Sequence, residues 1–149
     1  AQRGGSVFSH LRMGDNLYSP MIETGTADLI IGFEPGETVR MLPYLKDHGH
    51  IVVSTRAVKP VTATLSGSDY DAPQMLEYLK AAVPNLTLVN ADQACADIGS
   101  QKVLNMVLLG AAIRTGVLDF SLKEIEEVMK KTLPEKFHEM NLRALNYNI

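Results

Sequence analysis

Three short runs of nearly continuous apolar residues form the clearest pattern along the chain. They are ADLIIGF at 27–33, HIVVST at 50–55 and LTLVNA at 86–91. Such runs are typical of strands that are buried on both faces, as in a parallel sheet covered by helices. The sequence therefore predicts the centre of a mostly parallel sheet.

Helical spacing of apolar residues separates these runs. It predicts a helix at about 35–46, which Pro43 should end or kink within its last turn, and a second helix at about 72–82. Between the first two runs, the turn residues Asp47, His48 and Gly49 lead into the next strand. A strand–helix–strand unit of this kind should cross over with a right hand.

The last third of the chain is helical in pattern. The stretch KVLNMVLLGAAIRTG is apolar almost all round, which indicates a helix that is covered on most sides. Ser121 and Glu124 are spaced as a capping box for the next helix. Pro134 suits the first turn of a last helix at about 134–146.

The first residues have a different pattern. The strand-like SVFSHLRM at 6–13, the turn GDN at 14–16 and LYSPMI at 17–22 predict a hairpin from Ser6 to Ile22. VTATL at 61–65 alternates and predicts one more strand. The predicted fold class is α/β: a three-layer α/β/α domain over 1–149 with a mostly parallel sheet, an N-terminal hairpin and a helical C-terminal third.

Composition and charge narrow the function classes. The 149 residues are 46% hydrophobic and 21% charged, which is ordinary for one globular domain. The net charge is −3 and basic residues form no stripe, so we expect no nucleic-acid partner. No apolar run reaches about 18 residues and no signal peptide is visible, so we expect no membrane contact and a cytoplasmic location.

Catalytic motifs do not stand out in the sequence. Cys95 is the only cysteine, so the chain alone has no disulfide and no thiolate cage, and we interpret it as a buried, inert thiol. Neither GxGxxG, the phosphate-loop pattern, HExxH nor GxSxG occurs. The four histidines are dispersed and are interpreted as turn residues rather than metal ligands. The catalytic residues are therefore left unassigned.

The first candidate site is the loop Gln2-Arg3-Gly4-Gly5-Ser6. Paired glycines permit close backbone approach, and their N–H groups can form an anion-binding concavity. Arg3 adds a fork of donors that suits phosphate or carboxylate. From the residues alone, a poorly ordered terminus is the favoured interpretation.

The second candidate is Glu34, which directly follows the first buried run. Ligands of open α/β sheets gather outside the carboxyl ends of the strands, where a carboxylate could accept hydrogen bonds from a ligand or a partner chain. The alternative role is N-terminal capping of the following helix. The sequence leaves both interpretations open.

Four segments together resemble one family. AQRGGSVFSHLR, ADLIIGFEP, GHIVVST and EMNLRAL are similar, in this order, to the small subunit of indolepyruvate:ferredoxin oxidoreductase. That subunit belongs to the wider gamma-type domain family of 2-oxoacid:ferredoxin (flavodoxin) oxidoreductases. The resemblance runs from the first residue to the last few. Family members usually begin with a βα unit and a GxGGQG-type loop that are not in this sequence, so we expect a chain that starts after that unit.

The resemblance implies an accessory subunit that is not active alone. The assembled enzyme would decarboxylate a 2-oxoacid, an arylpyruvate such as indolepyruvate, oxidatively to an acyl-CoA and pass the electrons to ferredoxin. Thiamine diphosphate, Mg²⁺ and [4Fe-4S] clusters are expected in a large catalytic partner, and no cofactor in this chain. Arg3, Gly4, Gly5 and Ser6 would lie at the interface with that partner, close to its cofactor or to CoA phosphates.

Three alternatives stay open. The assembled enzyme could act on pyruvate or 2-oxoglutarate instead. The chain could be a stand-alone α/β module that binds a nucleotide or CoA. It could also be a structural or assembly protein with an apolar face formed by Met13, Tyr18, Met21, Met41 and Tyr44. Because a sheet without its first strand exposes an edge that invites pairing with another chain, a homodimer of the isolated chain is a further alternative, and the oligomeric state stays open.

Overall fold

A computed structural model describes residues 7–58 and 71–149. Three strands, β1 (Ala27–Gly32), β2 (Leu45–Ser54) and β3 (Asn85–Val89), form a sheet in the order β1-β2-β3. Both pairings are parallel, so the predicted parallel sheet is confirmed. The predicted strand at 61–65 and the loop at 2–6 lie outside the described residues.

Within the described ranges, six α-helices follow or connect the strands. They are α1 (Pro35–Met41), α2 (Ala72–Ala82), α3 (Ala91–Ile98), α4 (Leu104–Arg114), α5 (Leu122–Thr132) and α6 (His138–Leu145). Short 3₁₀ turns precede or follow three of them, at Leu42–Tyr44, Gln101–Val103 and Glu135–Phe137. Pro43 lies in the first of these turns, so the helix ends near it as predicted.

Side chains from β2 alternate between two apolar cores. Ile51 and Val53 pack with Leu79 of α2 on one face of the sheet. Val52 packs on the other face with the helices that follow β3, including Leu108 of α4. Because successive strand residues point to opposite faces, one continuous apolar run supplies both cores. The three-layer α/β/α arrangement is confirmed.

The C-terminal helices close tightly on one another. A Cβ at Gly110 of α4 would lie 2.0 Å from the backbone oxygen of Leu145, so only glycine permits this approach of α4 to α6. Arg114 donates to the backbone oxygens of Leu145, at 3.1 Å, and of Tyr147. The predicted capping box is present, with Ser121 N donating to Glu124 Oε2 at 2.8 Å. The end of the chain is therefore fixed to the domain by backbone and side-chain contacts.

The predicted N-terminal hairpin is wrong, because residues 7–22 contain no strand. The chain does turn at Gly14–Asn16, where Asn16 has a φ of 58°. Side chains, not a backbone ladder, connect the two arms: Ile22 N donates to His10 Nδ1 at 2.8 Å, and Arg12 Nη1 donates to Ser19 O at 2.8 Å. These contacts use backbone groups that a ladder would need, so the arms return on each other without forming a sheet.

The predicted turn before the second strand is present inside β2. His48 has a φ of 60°, and the pairing with β1 shifts there, from Ala27 opposite Leu45 to Leu29 opposite His50. Asn85 Nδ2 donates to His48 O at 2.9 Å and holds the irregular backbone. The regular part of β2 is thus the apolar run that the sequence predicts.

Candidate functional site

Glu34 stands where β1 ends and α1 begins. Its backbone oxygen accepts from Thr38 N at 3.1 Å and from Thr38 Oγ1 at 2.7 Å. Thr38 is fully buried and packs against Gly32, where a Cβ would lie 1.8 Å from Thr38 Oγ1. Glycine at the end of β1 therefore lets α1 approach the strand and fixes the position of Glu34.

The carboxyl group of Glu34 has two different surroundings. Its Oε2 accepts from Glu37 N at 2.8 Å and caps the first turn of α1. Its Oε1 is buried and accepts no hydrogen bond, while the whole residue is only 7% exposed. The capping role is therefore confirmed, and one oxygen of the same group is left for another donor.

Glu34 is one of the residues that line a cleft of about 610 Å³ between β1, α1 and the first described residues. The walls of the cleft are mainly apolar and aromatic, and include Phe8, His10, Ile22, Phe33, Met41 and Tyr44. An apolar cavity of several hundred Å³ with a few polar groups is the usual form of a binding site. The cleft around Glu34 is therefore the candidate site.

An aromatic contact holds one wall of the cleft in place. The rings of His10 and Tyr44 meet edge to face, with centroids 5.1 Å apart. Phe8 lies beside His10 at 5.6 Å. Because His10 Nδ1 also accepts from the backbone of Ile22, the wall is tied both to the 3₁₀ turn after α1 and to the chain before β1.

A second polar group lies at the carboxyl end of the other two strands. Arg56, shortly after β2, pairs with Asp92 of α3, and Arg56 Nε donates to Asp92 Oδ1 at 2.6 Å. From the sequence, Asp92 stands close to the start of this helix, where its side chain could cap exposed N–H groups. The cap is instead Asn90, whose side chain accepts from Gln93 N at 3.1 Å, because the helix begins at Ala91, two residues earlier than a cap at Asp92 requires.

The pKa values of Asp97 and Tyr147 are shifted by a contact that lies away from the cleft. Tyr147 donates to Asp97 Oδ2 at 2.5 Å, and this hydrogen bond, with a second from Gln93, lowers the pKa of Asp97. The same bond raises the pKa of Tyr147. These groups join the end of the chain to α3 and have a structural role.

The described residues were also compared with three other kinds of feature: a reactive cysteine, a metal site and a membrane-spanning helix. Cys95 is buried in α3, as predicted. Residues 7–58 and 71–149 contain no group of three or more His, Cys, Asp or Glu side chains that could hold a metal ion. No helix in the same ranges is both long and apolar enough to cross a membrane.

The first described residues expose an unusual number of large apolar side chains. We call residues 7–22 the apolar segment. Its exposed large side chains are Val7, Phe8, Leu11, Met13, Leu17, Tyr18 and Met21. Tyr18 is 92% exposed and Val7 is 90% exposed. Patches of this kind mark interaction surfaces in soluble domains.

The predicted site residues have different outcomes. Glu34 lies in the cleft, whereas Gln2, Arg3, Gly4, Gly5 and Ser6 lie outside the described residues and stay predictions. The proposed apolar face is divided. Its members Met13, Tyr18 and Met21 are exposed, whereas Met41 and Tyr44 line the cleft.

Sequence reasoning missed Phe8 and His10 as lining residues. The strand-like spacing around them predicts a hairpin, and that prediction did not include a cleft lined by these two side chains. The signal that could have found the surface is the density of apolar residues on both sides of the turn at 14–16, without a helix nearby to cover them.

Comparison with known proteins gives a consistent result. A family model described as pyruvate ferredoxin/flavodoxin oxidoreductase matches residues 1–148. The chain is 32% identical to the indolepyruvate oxidoreductase subunit IorB of Archaeoglobus fulgidus, over 97% of this chain and 72% of that protein. It is 30% identical to IorB of Pyrococcus horikoshii, over 100% of this chain and 75% of that protein.

The fold is also similar to a solved structure. The keto/oxoacid ferredoxin oxidoreductase gamma subunit from Geobacter sulfurreducens superimposes with a TM-score of 0.55 and 22% sequence identity. The match covers 85% of this chain and 62% of that one. This likeness supports the open α/β fold.

Proposed function

Because the chain belongs to the pyruvate ferredoxin/flavodoxin oxidoreductase family, we propose that it is the small, accessory subunit of a 2-oxoacid:ferredoxin oxidoreductase. The names of the IorB relatives favour indolepyruvate or another arylpyruvate as the substrate of the assembled enzyme. The reaction would be oxidative decarboxylation to an acyl-CoA, with the electrons passed to ferredoxin.

The apolar segment is the observation that carries this proposal. A domain that acted alone would gain nothing from leaving Val7, Leu11 and Tyr18 in water, since burying each such side chain is worth about 1.5–3 kcal/mol. A large partner chain can cover this surface. We therefore propose the apolar segment as the contact with the catalytic subunit.

The donor set of this chain supports placing the cofactors in the partner. A [4Fe-4S] cluster needs several thiolates, and the sequence has only Cys95, which is buried. We propose that the partner holds the clusters, the thiamine diphosphate and its Mg²⁺, and that the chain alone is inactive. Ferredoxin would be reached through the assembled complex, in the cytoplasm.

The loop Gln2-Arg3-Gly4-Gly5-Ser6 remains a proposed contact with the partner's cofactor or with CoA phosphates. Arg3 is four positions before Val7, which lines the cleft. Arg3→Ala in the assembled enzyme should raise the KM for CoA or lower turnover. Unchanged turnover and CoA affinity would remove this role.

The experiment that tests the function is co-expression with the large catalytic subunit, which the proposal expects to be encoded near this chain. The complex should reduce ferredoxin or a viologen dye when indolepyruvate and CoA are added, and each chain alone should not. Pyruvate and 2-oxoglutarate serve as alternative substrates. Dye reduction by this chain alone would contradict the proposal.

A second candidate function is a stand-alone module that binds a nucleotide or CoA. The volume of the cleft favours it, because about 610 Å³ is within the range of small-molecule sites. Calorimetry of the isolated chain with CoA and with adenine nucleotides separates the two proposed functions, since an accessory subunit does not need to bind either ligand alone. Light scattering on the same sample tests for a homodimer.

A further inference from the structure

We propose that the cleft receives a lysine or arginine side chain of the partner subunit, whose nitrogen donates to Glu34 Oε1. This inference rests on the proposed function and adds to it the chemistry of the contact. The steps below use the burial of Glu34, the charge of the cleft walls and the position of the cleft beside the apolar segment.

The first step is the unused acceptor. Buried polar side-chain atoms almost always have a hydrogen-bond partner, and leaving one without costs about 1–3 kcal/mol. Within the described chain, Glu34 Oε1 is the buried side-chain atom without one. Since Oε2 already holds the helix cap, the carboxyl group cannot rotate to satisfy Oε1 without losing that bond.

The second step is charge. Two of the described residues that line the cleft, Glu34 and Glu37, are acidic, and none of the described lining residues is Lys or Arg. The carboxylate of Glu37 already has a cationic partner, because its Oε1 accepts from Arg40 Nη1 at 3.2 Å. The electrostatic field inside the cleft therefore favours a cation next to Glu34 Oε1.

The third step is shape. A cation that reaches Glu34 must pass between apolar and aromatic walls formed by Phe8, Phe33 and Tyr44. Lysine and arginine carry their charge on a long apolar stem, and the arginine head group also stacks on aromatic rings. A basic protein side chain suits both the walls and the end of the cleft.

The fourth step is continuity with the apolar segment. Val7 and Phe8 belong to that segment and also line the cleft, and Phe33 on the opposite wall is 52% exposed. A chain that covers the exposed side chains of the segment would therefore cover the mouth of the cleft. One partner surface can supply both the apolar contact and the inserted cation.

The test measures the affinity of this chain for its large subunit. Glu34→Gln keeps the size of the side chain and removes the charge. The dissociation constant of the complex should therefore rise by about 30-fold or more, as when one member of a buried charged pair is lost. Glu23→Gln is the matched control, because Glu23 is exposed and does not line the cleft. Its affinity should equal that of the unchanged chain.

Thermal unfolding of each isolated variant accompanies the affinity measurement, because Glu34 also caps α1. A crystal or cryo-EM structure of the unchanged complex gives a second test that needs no variant. It should show a Lys or Arg nitrogen of the partner within about 3.2 Å of Glu34 Oε1.

The possible results separate the two proposals. Equal affinity of a folded Glu34→Gln variant, or a small molecule or water alone at Oε1 in the complex, would overturn the inference and leave the proposed function standing. Failure of the unchanged chain to bind the large subunit at all would overturn both.

Discussion

The apolar segment and the C-terminal helices use similar residues in opposite ways. Residues 7–22 expose most of their large apolar side chains. Residues 91–147 bury theirs fully or in part, with Val128 and Phe137 as the exposed large exceptions. The segment is held by side-chain bonds such as that from Ile22 N to His10, whereas the helices are held by packing, caps and the Gly110–Leu145 approach.

This difference separates stability from association. The helices satisfy their own apolar surface, so this domain does not need a partner to form that core. The apolar segment has no equivalent cover within the described residues. Changes in the helices should therefore alter the free energy of unfolding, and changes in the segment should alter assembly.

The largest effect is expected for a matched pair of leucine truncations. Leu108→Ala removes a fully buried side chain from α4 and should lower the free energy of unfolding by about 2–5 kcal/mol. Leu11→Ala removes a side chain that is 73% exposed and should change it by less than about 0.5 kcal/mol. Urea unfolding of both variants makes the measurement. Similar losses of unfolding free energy in the two variants would contradict the separation of stability from association.

The next effect concerns association. Tyr18→Ala should weaken binding to the large subunit by about tenfold, because interface tyrosines commonly contribute more than 1 kcal/mol. The unfolding midpoint of the isolated chain should not change. Tyr78→Ala provides the control, since Tyr78 is also exposed but lies on α2, away from the segment. Equal weakening by both variants would show that the effect is not specific to the segment.

A smaller, local effect is expected at His10. His10→Phe keeps an aromatic ring against Tyr44 but removes the acceptor for Ile22 N. A single hydrogen bond contributes about 1 kcal/mol, so hydrogen exchange of the Ile22 amide should accelerate by about fivefold. The amide of Val53 in the core of β2 should exchange as before. Uniform acceleration at both amides would mean that the segment is coupled to the whole fold.

The smallest effect is a pH dependence at the end of the chain. The folded-state pKa of Asp97 is lowered, so its ionised carboxylate adds to the free energy of unfolding at pH values above the unfolded pKa of about 3.9. This stabilisation is lost as the pH falls through the folded pKa. Because the pKa of Tyr147 is raised, its contribution is lost as the pH rises above about 10, through the folded value.

Tyr147→Phe removes the bond that causes both shifts. The variant should be less stable than the unchanged chain between about pH 5 and pH 9, and the difference should shrink at both extremes. Calorimetric unfolding from about pH 2 to about pH 11, which covers both titrations, measures it, with Tyr78→Phe as the control. A difference that does not vary with pH would show that packing of the ring, not the bond to Asp97, accounts for the loss.

Much of the fold was predictable because its signals are local. The apolar runs predicted β1 and the regular parts of β2 and β3, and the helix at 72–82 has the predicted bounds. Pro43 and the Ser121–Glu124 capping box act through their immediate neighbours, so their effects follow from sequence spacing. The hairpin prediction was wrong for the opposite reason, because a ladder depends on pairing between two distant backbone segments. Here the backbone groups Ser19 O and Ile22 N bind side chains instead.

The sequence by itself determined the α/β class, the order of the elements and the position of Glu34 after β1. These follow from residue periods and from chain neighbours. Only the tertiary structure decided that Glu34 has one capping oxygen and one buried, unused oxygen, and that Phe8 and His10 line the same cleft. Burial and contact between residues far apart in the chain depend on how the elements pack, which no local pattern encodes.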